Sequence, residues 1–329
     1  MSRVVSFSEY GGPEVLEIRD VDVPLPGPAE VRIRVKAIGL NRAESMWRSG
    51  NYVEPVRLPA RLGYESAGEV EAVGSDVRHV KVGDTVSTVP SFSLNDYGMY
   101  GELVLAPAHA VVRHESFVSF EDATAIWNPL ITPYGAFVES GLLRAGDTVL
   151  IPAASSSVGI GAIQMAKMVG AVPIALTRTS AKRERLLEEG AAHVIVTGEQ
   201  DLVAEVSRIT DGKGAKFAFE PVGGSSFPKL VAAMAEEGTI FVYGALSDEV
   251  TPLPMIEVLA KRIVIRGYNL FATTTDTVRQ KAAVDFIFEG IRKGALKPVI
   301  GKRFAFDDIQ DAHRELEKNQ HFGRIVVSV

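Results

Sequence analysis

Residues 147–170 read DTVLIPAASSSVGIGAIQMAKMVG: an apolar β-branched run, a turn of very small residues, then apolar positions at helical spacing. Residues 149–151 form the fully buried type of strand, and Pro152 ends its ladder because it has no amide hydrogen to donate. Ala154, Ser155, Ser156 and Ser157 leave room for phosphate oxygens. The helix opened by Val158 and Gly159 directs unsatisfied amides and a positive dipole end at them. In the Gly-x-Gly-x-x-Gly signature of a dinucleotide site, Ala154 and Ser156 take the first two glycine positions and Gly159 keeps the third. A second strand, 172–176, arrives about 20 residues on, where a ribose is read. It ends on Thr177, Arg178, Thr179 and Ser180, with Lys182 following, and not on Asp or Glu. A carboxylate there would bind ribose hydroxyls and repel a 2′-phosphate. Arg178 offers that phosphate a fork of donors, the hydroxyls add bonds and Lys182 a point charge, so the expected cofactor is NADPH and not NADH. Two plainer readings compete: a small-residue turn packing a helix on a sheet, and a solvated helix face formed by Lys182, Arg183 and Arg185.

Alternation of helix and strand surrounds this motif from about residue 120, with further strands at 193–196, 217–219, 239–243 and 262–267. Such alternation implies right-handed crossovers and a doubly wound parallel sheet. Gly223, Gly244 and Ala245 follow later strands and are placed where a cofactor approaches strand ends. Before residue 120 the texture differs: short strands separated by turns such as PLPGP and VGSD, which reads as a partly open β-barrel. After the 278–293 helix, the closing FGRIVVSV returns to barrel-like strand.

The 329 residues suffice for two domains with cores of their own. A net charge of −6 gives no basic field for nucleic acid or an anionic membrane, which leaves small-molecule chemistry. Arg3 and Glu9 interrupt the opening segment, so neither a signal peptide nor a membrane anchor is expected and the cytoplasm is the expected location. Cysteine is absent, which removes disulfides, thiol nucleophiles and cysteine-ligated zinc. The six histidines form no His-x-x-x-His or His-Glu-x-x-His pattern, and no Gly-x-Ser-x-Gly elbow supports a serine hydrolase.

The strings EYGGPEVLEI, PGPAEVRIRVKAIGLNRAE, GYESAGEVEAVG, VGDTV, GAAHVI, FAFEPVGG and GRIVVSV stand in this order along nearly the whole chain. In them the chain resembles the medium-chain dehydrogenase/reductase superfamily, and within it the zinc-free quinone oxidoreductase branch. The resemblance implies a GroES-like partly open β-barrel domain (1–120 and 275–329), a Rossmann domain (121–274) and an active-site cleft between them. It also implies dimers, here by edge-to-edge pairing of strand 262–267.

Where zinc-bearing members hold catalytic metal through Cys, His and Cys, this sequence has Asn41, Tyr64 and Asn128, a poor donor set for zinc. Without a Lewis acid, reduction of a quinone or an activated alkene is the easier chemistry, because the acceptor's own conjugation carries the charge to an oxygen that neutral donors stabilise. The resemblance places Asn41 and Tyr52 as those donors, and Tyr64, a departure from the family's pattern, is a third candidate that either faces the acceptor or fills the space of the metal site; a phenol is protonated at neutral pH and can also deliver the proton. Trp47 and Phe92 are expected as pocket walls, Asn128 beside either substrate or backbone, and Thr132 on the cofactor side. Asn41 also reads as an N-cap of the RAESMW helix, Tyr52 as a rim aromatic, and Glu65 as a carboxylate paired with an arginine. The expected activity is therefore hydride transfer from NADPH to a quinone or α,β-unsaturated carbonyl compound. An enoyl thioester reductase and a non-catalytic NADPH-binding protein are the rivals.

Overall fold

A computed structural model describes residues 1–115 and 117–329. The chain groups into two compact units, Met1–Asn128 with Thr274–Gln280 and Pro298–Val329, and Pro129–Thr273 with Lys281–Lys297. This moves the expected boundaries: residues 121–128 join the first unit, and most of the Thr277–Arg292 helix joins the second. The physical reason lies at that helix's end, where Lys297 N–H donates to Gln164 Oε1 at 3.0 Å and Lys297 Nζ pairs with Glu189 at 3.2 Å.

In the first unit, strands β1 (Ser2–Phe7), β2 (Glu17–Val21), β3 (Glu30–Gly39), β4 (Ala60–Arg61), β5 (Glu65–Val73), β6 (Thr85–Thr88), β7 (Leu103–Pro107) and β8 (Val111–Arg113) carry the barrel. β3 shows why: Val31, Ile33 and Val35 are buried while the residues between them are not, the period-2 pattern of a half-buried strand. One small sheet runs β2-β1-β4. Only one short helix, Arg42–Arg48, interrupts β3 and β4.

The second unit is a six-stranded parallel sheet built from β9 (Thr148–Ile151), β10 (Val172–Thr177), β11 (His193–Val196), β12 (Ala215–Glu220), β13 (Met234–Val242) and β14 (Val264–Gly267). Their spatial order is β11-β10-β9-β12-β13-β14, the Rossmann order, with its switch point between β9 and β12. Leu150, Ile174 and Ile240 lie in one core with Leu202, Val206, Phe227 and Leu230 from helices on the sheet's face. The segment leading into the second unit is a short helical turn at Phe120–Ala123, a helix at Trp127–Tyr134 and a wider turn at Gly135–Glu139.

Strands β15 (Ile300–Ala305) and β16 (Arg324–Ser328) return to the first unit, whose large sheet runs β15-β16-β3-β5-β6-β8 with β7 also on β3. Gly39, at the end of β3, lies opposite Glu65 on one side and Val326 on the other. That register gathers Asn41, Glu65 and Arg324 from positions far apart in sequence. Among the described residues no helix is long and apolar enough to cross a membrane.

Candidate functional site

The first group of residues lies in the second unit, at the carboxyl ends of β9 and β10. After β9 the chain turns through Ala153, whose φ of 48° is left-handed, and enters the Ser157–Met168 helix. Ser156 caps that helix: its Oγ accepts the Gly159 N–H at 3.0 Å and its carbonyl the Ile160 N–H at 2.9 Å. The Ser157 and Val158 N–H groups open the helix and point out of its end. A Cβ on Gly159 would lie 2.5 Å from the Ala153 carbonyl oxygen, so only glycine lets helix and turn meet this closely. Ala154 is buried, and Ser155 stands half-buried on the turn.

Lys182 Nζ reaches back to this turn and donates to Ser155 Oγ at 2.9 Å. Burial, with Arg178 and Arg185 as cationic neighbours, holds the Lys182 ammonium below its ordinary pKa. Three cations therefore crowd the end of β10, an arrangement that a bound dianion relieves. Thr177 is half-buried beside them, while Arg178, Thr179 and Ser180 are exposed. Ser180 N–H donates to Glu199 Oε1 at 3.2 Å, a carboxylate that the sequence reading did not place here.

Across the switch point, buried Glu220 at the end of β12 accepts the Gly223 N–H at 2.7 Å and the Val222 N–H. Burial pushes its carboxyl above the usual range. Gly223 takes φ 70°, and it lines one cavity with Glu220, Gly244, Ala245, Ser247 and Thr251. Thr132 is not a wall of that cavity; it is buried within the Trp127–Tyr134 helix. Open helix amides, a missing Cβ and a cationic rim together fit a phosphate-bearing dinucleotide.

The second group lies in the first unit. Asn41 precedes the Arg42–Arg48 helix and is 3% exposed. Its Nδ2 donates to Glu44 Oε1 and to Glu65 Oε2, each at 3.1 Å, and its Oδ1 accepts from Arg324 Nη1 at 2.8 Å. Both amide hydrogens are thus committed to carboxylates. This corrects the expected role of Asn41 as a donor to an acceptor molecule: it bridges a buried ionic network. Arg324 also pairs with Glu65 and donates to the Thr124 carbonyl at 3.1 Å. Glu65 further accepts the Asn128 N–H at 2.9 Å, so the backbone of Asn128 belongs to the same network. Glu44 accepts from the Asn41 N–H and the Tyr64 N–H, each at 2.8 Å, and from the Tyr100 hydroxyl. Burial pushes both carboxyls upward against these bonds.

Tyr64 is 2% exposed and its ring packs 5.7 Å from that of Phe92, which lies 5.8 Å from Tyr97. Tyr52 is half-buried. Burial holds both phenols above their ordinary pKa, followed by Glu44 and Glu54 for Tyr52, and by Tyr52, Glu54 and Glu44 for Tyr64. Each is a neutral donor at physiological pH. Trp47, expected as a pocket wall, is 0% exposed and meets Phe7 edge-on at 5.5 Å, so it belongs to the core.

Residues 27–116 match the family described as alcohol dehydrogenase GroES-like domain, and residues 157–289 the family described as zinc-binding dehydrogenase. The quinone oxidoreductase of Pseudomonas aeruginosa is 33% identical over 328 residues, covering 99% of each chain. The chain belongs to the zinc-free quinone oxidoreductase branch of the medium-chain dehydrogenase/reductase superfamily. The quinone oxidoreductase of Homo sapiens is 32% identical over 318 residues, 96% of this chain and 94% of that one. The structure of the Escherichia coli quinone oxidoreductase complexed with NADPH superimposes with a TM-score of 0.91 at 28% identity, covering 99% of this chain and 100% of that one.

Membership makes the protein an oxidoreductase. Among the described residues no group of three or more His, Asp or Glu side chains gathers as a metal-ligand set. Asn41, Tyr64 and Asn128 offer an amide bound to an arginine, a buried phenol and a second amide, none of them a favoured zinc ligand. The residues that sequence reasoning missed are Glu44, Tyr100, Arg324 and Glu220. Asn41-x-x-Glu44 has the spacing at which a side chain at the third helical position reaches back to the cap, a signal sufficient to find Glu44. Arg324 carries no local signal at all.

Proposed function

We propose that this protein is an NADPH-dependent reductase that delivers hydride to a quinone or an α,β-unsaturated carbonyl compound, in the cytoplasm and without metal. The observation that carries the cofactor choice is the bond from Lys182 to Ser155 beside Arg178 and Arg185, at a strand end whose own residues 177–182 include no acidic one, Glu199 being engaged there by the Ser180 N–H. Ser157 and Val158 N–H groups hold the pyrophosphate, Arg178 and Lys182 hold the 2′-phosphate with Thr177, Thr179 and Ser180 around it, and Gly223, Gly244 and Ala245 border the rest of the dinucleotide. NADPH bound there supplies the hydride. Tyr52 keeps a partly open surface, unlike Tyr64, and is the phenol that donates to the acceptor's oxygen and delivers the proton. Tyr64 and Phe92 supply the aromatic wall beside it. Asn41 takes no direct part and fixes the network beneath. The complex of NADPH with the related Escherichia coli enzyme supports this reading.

The test follows NADPH and NADH oxidation with 1,4-benzoquinone, a simple enone and crotonyl thioester, before and after chelation. NADPH with quinone or enone is the productive pair, unaffected by chelator. Activity lost to the chelator and restored by zinc overturns the metal-free chemistry, and a preference for the thioester replaces the acceptor class. Tight NADPH binding with no acceptor reduced makes the protein a non-catalytic binder.

The same reading includes a homodimer. Among the described residues β14 pairs only with β13, and Val264 and Ile265 are exposed. Ile256 and Leu259 of the neighbouring Met255–Lys261 helix are exposed too. An apolar edge strand of this kind is a pairing template for a second copy. Light scattering that reports a monomer at high concentration refutes the dimer.

A further inference from the structure

Residues 52–59, which carry Tyr52, belong to no strand or helix. Among the described residues no backbone-to-backbone hydrogen bond anchors them. Apart from a 3.5 Å bond from the Tyr10 hydroxyl to the Val56 carbonyl, the side-chain hydrogen bonds that reach them come from a second irregular segment, residues 92–97, and one residue supplies most of them. Asn95 Nδ2 donates to the Pro55 carbonyl at 2.9 Å and to Glu54 Oε1 at 3.0 Å, while its Oδ1 accepts the Arg57 N–H at 2.7 Å. Its own N–H donates to Ser93 Oγ at 3.0 Å, and that hydroxyl donates to the same Glu54 oxygen. Arg57 Nη2 adds an ion pair to Asp96 at 2.6 Å, on exposed side chains where it contributes little.

The 92–97 segment is itself tied down. The Asp96 and Tyr97 N–H groups both donate to the Ser93 carbonyl at 3.1 Å, and Tyr97 Oη donates to Glu30 Oε1 on β3 at 2.9 Å. Phe92 belongs to it, in ring contact with Tyr64. A strap without a backbone ladder is therefore clipped to an anchored segment by one short amide. The chemistry requires asparagine: two donors and an acceptor on a stiff stem, with no second charge beside Glu54. Aspartate lacks the donors, and alanine lacks everything.

We propose that Asn95 is a positioning residue for acceptor reduction: by clipping residues 54–57 to the 92–97 segment it fixes where the Tyr52 phenol stands relative to Tyr64 and Phe92. This rests on the reading of Tyr52 as the group that touches the acceptor. Glu54 serves as the clip's second jaw, through the geometry of its oxygen and not through its charge.

The experiment compares the full-length wild type with Asn95→Ala, Glu54→Ala and Glu54→Gln. In Asn95→Ala and Glu54→Ala, hydrogen exchange of the Arg57 amide, the N–H of 52–59 that the clip holds, accelerates by about tenfold or more, with the sheet amides unchanged. The KM for 1,4-benzoquinone rises about tenfold while the KM for NADPH stays within about twofold. Glu54→Gln, which keeps an oxygen for Ser93 and Asn95, restores both readouts relative to Glu54→Ala. Exchange of the Arg57 amide that does not change in Asn95→Ala refutes the clip. A loosened strap with an unchanged acceptor KM in an active enzyme refutes the positioning role alone. A wild type that reduces no acceptor removes the role of Tyr52 and the proposal with it. Equal damage in Glu54→Gln and Glu54→Ala shows that charge, not geometry, is what Glu54 supplies.

Discussion

The cationic rim of the Rossmann unit and the ionic network of the barrel unit both gather charge, but they are built in opposite ways. Arg178, Thr179 and Ser180 are exposed and sit within a few residues of one another on a strand end. Arg324 and Glu65 are 2% and 0% exposed and 259 residues apart in the chain. An exposed rim costs little to assemble and keeps its charge for a ligand. A buried network costs desolvation for every ion, and repays it only when each lone pair and each proton is partnered. Asn41 completes that partnering, with one carbonyl for Arg324 and two hydrogens for two carboxylates. The first region is arranged for binding. The second fixes the Arg42–Arg48 helix, Tyr64 and Tyr100 as one piece.

If this contrast holds, the largest effect of any single change belongs to the network. Arg324→Met leaves Glu65 buried beside no cation, and the expected loss is about 3–5 kcal/mol of unfolding free energy, read by urea denaturation. Adding Glu65→Gln recovers much of that loss, because the uncompensated charge is gone. A loss under about 1 kcal/mol for Arg324→Met means that the pair is solvated and the comparison fails.

Next in size is an acid effect at the edge of the same unit. His313 is fully buried; its Nδ1 lies 3.0 Å from Arg48 Nη1, Tyr100 packs edge-on to its ring at 5.9 Å, and Glu317 holds Arg48 from the other side. Burial, then the Arg48 charge, push its pKa down to about 3 from 6.5. The folded pKa is depressed, so between these values the unfolded chain binds a proton that the folded chain refuses. Stability from this group is full above about pH 6.5 and is lost progressively as pH falls toward 3, by an amount on the order of a few kcal/mol. His313→Gln, which keeps an acceptor for Arg48, flattens the stability profile across that window. Parallel profiles for wild type and variant refute the assignment.

The same contrast explains what was legible in the sequence. The turn at 152–159 and the β10 end at 177–182 are contiguous, so residue type and spacing name them directly, and the alternation of strand and helix implies the doubly wound parallel sheet around them. The barrel's identity was readable from turn punctuation and apolar alternation. Its site was not, because side-chain partners meet there through the β3–β5 and β3–β16 registers, which no local pattern encodes. Asn41 reads as a donor to the acceptor, with a helix cap as the plainer reading, until Glu44, Glu65 and Arg324 are seen to consume its amide. Trp47 reads as a pocket wall until Phe7 is found against it. The boundary expected at residue 275 differs from the division at 280/281 and 297/298 for a similar reason: the helix is evident, but Gln164 and Glu189, which draw its end to the second unit, are distant in sequence.

On the rim, effects are smaller and belong to binding. Arg178→Ala removes a charge-assisted contact to the 2′-phosphate, worth about 1.5–3 kcal/mol, so the KM for NADPH rises roughly 10- to 100-fold with the NADH value nearly unchanged. Thermal stability is unaffected because the side chain is exposed. Equal effects on both cofactors remove Arg178 from that role.

Ionic strength gives the smallest effect and the sharpest discrimination. Arg178 and Arg185 face water and Lys182 is half-buried, and the screening length shrinks from about 10 Å at 0.1 M salt to about 3 Å at 1 M. The KM for NADPH therefore climbs several-fold over that range, and the KM for NADH, lacking the 2′-phosphate, does not. The buried network lies outside the reach of mobile ions, so the stability difference between wild type and Arg324→Met is the same at both salt concentrations. A salt-dependent difference places water within the network, and a salt-independent KM for NADPH places the 2′-phosphate away from Arg178 and Lys182.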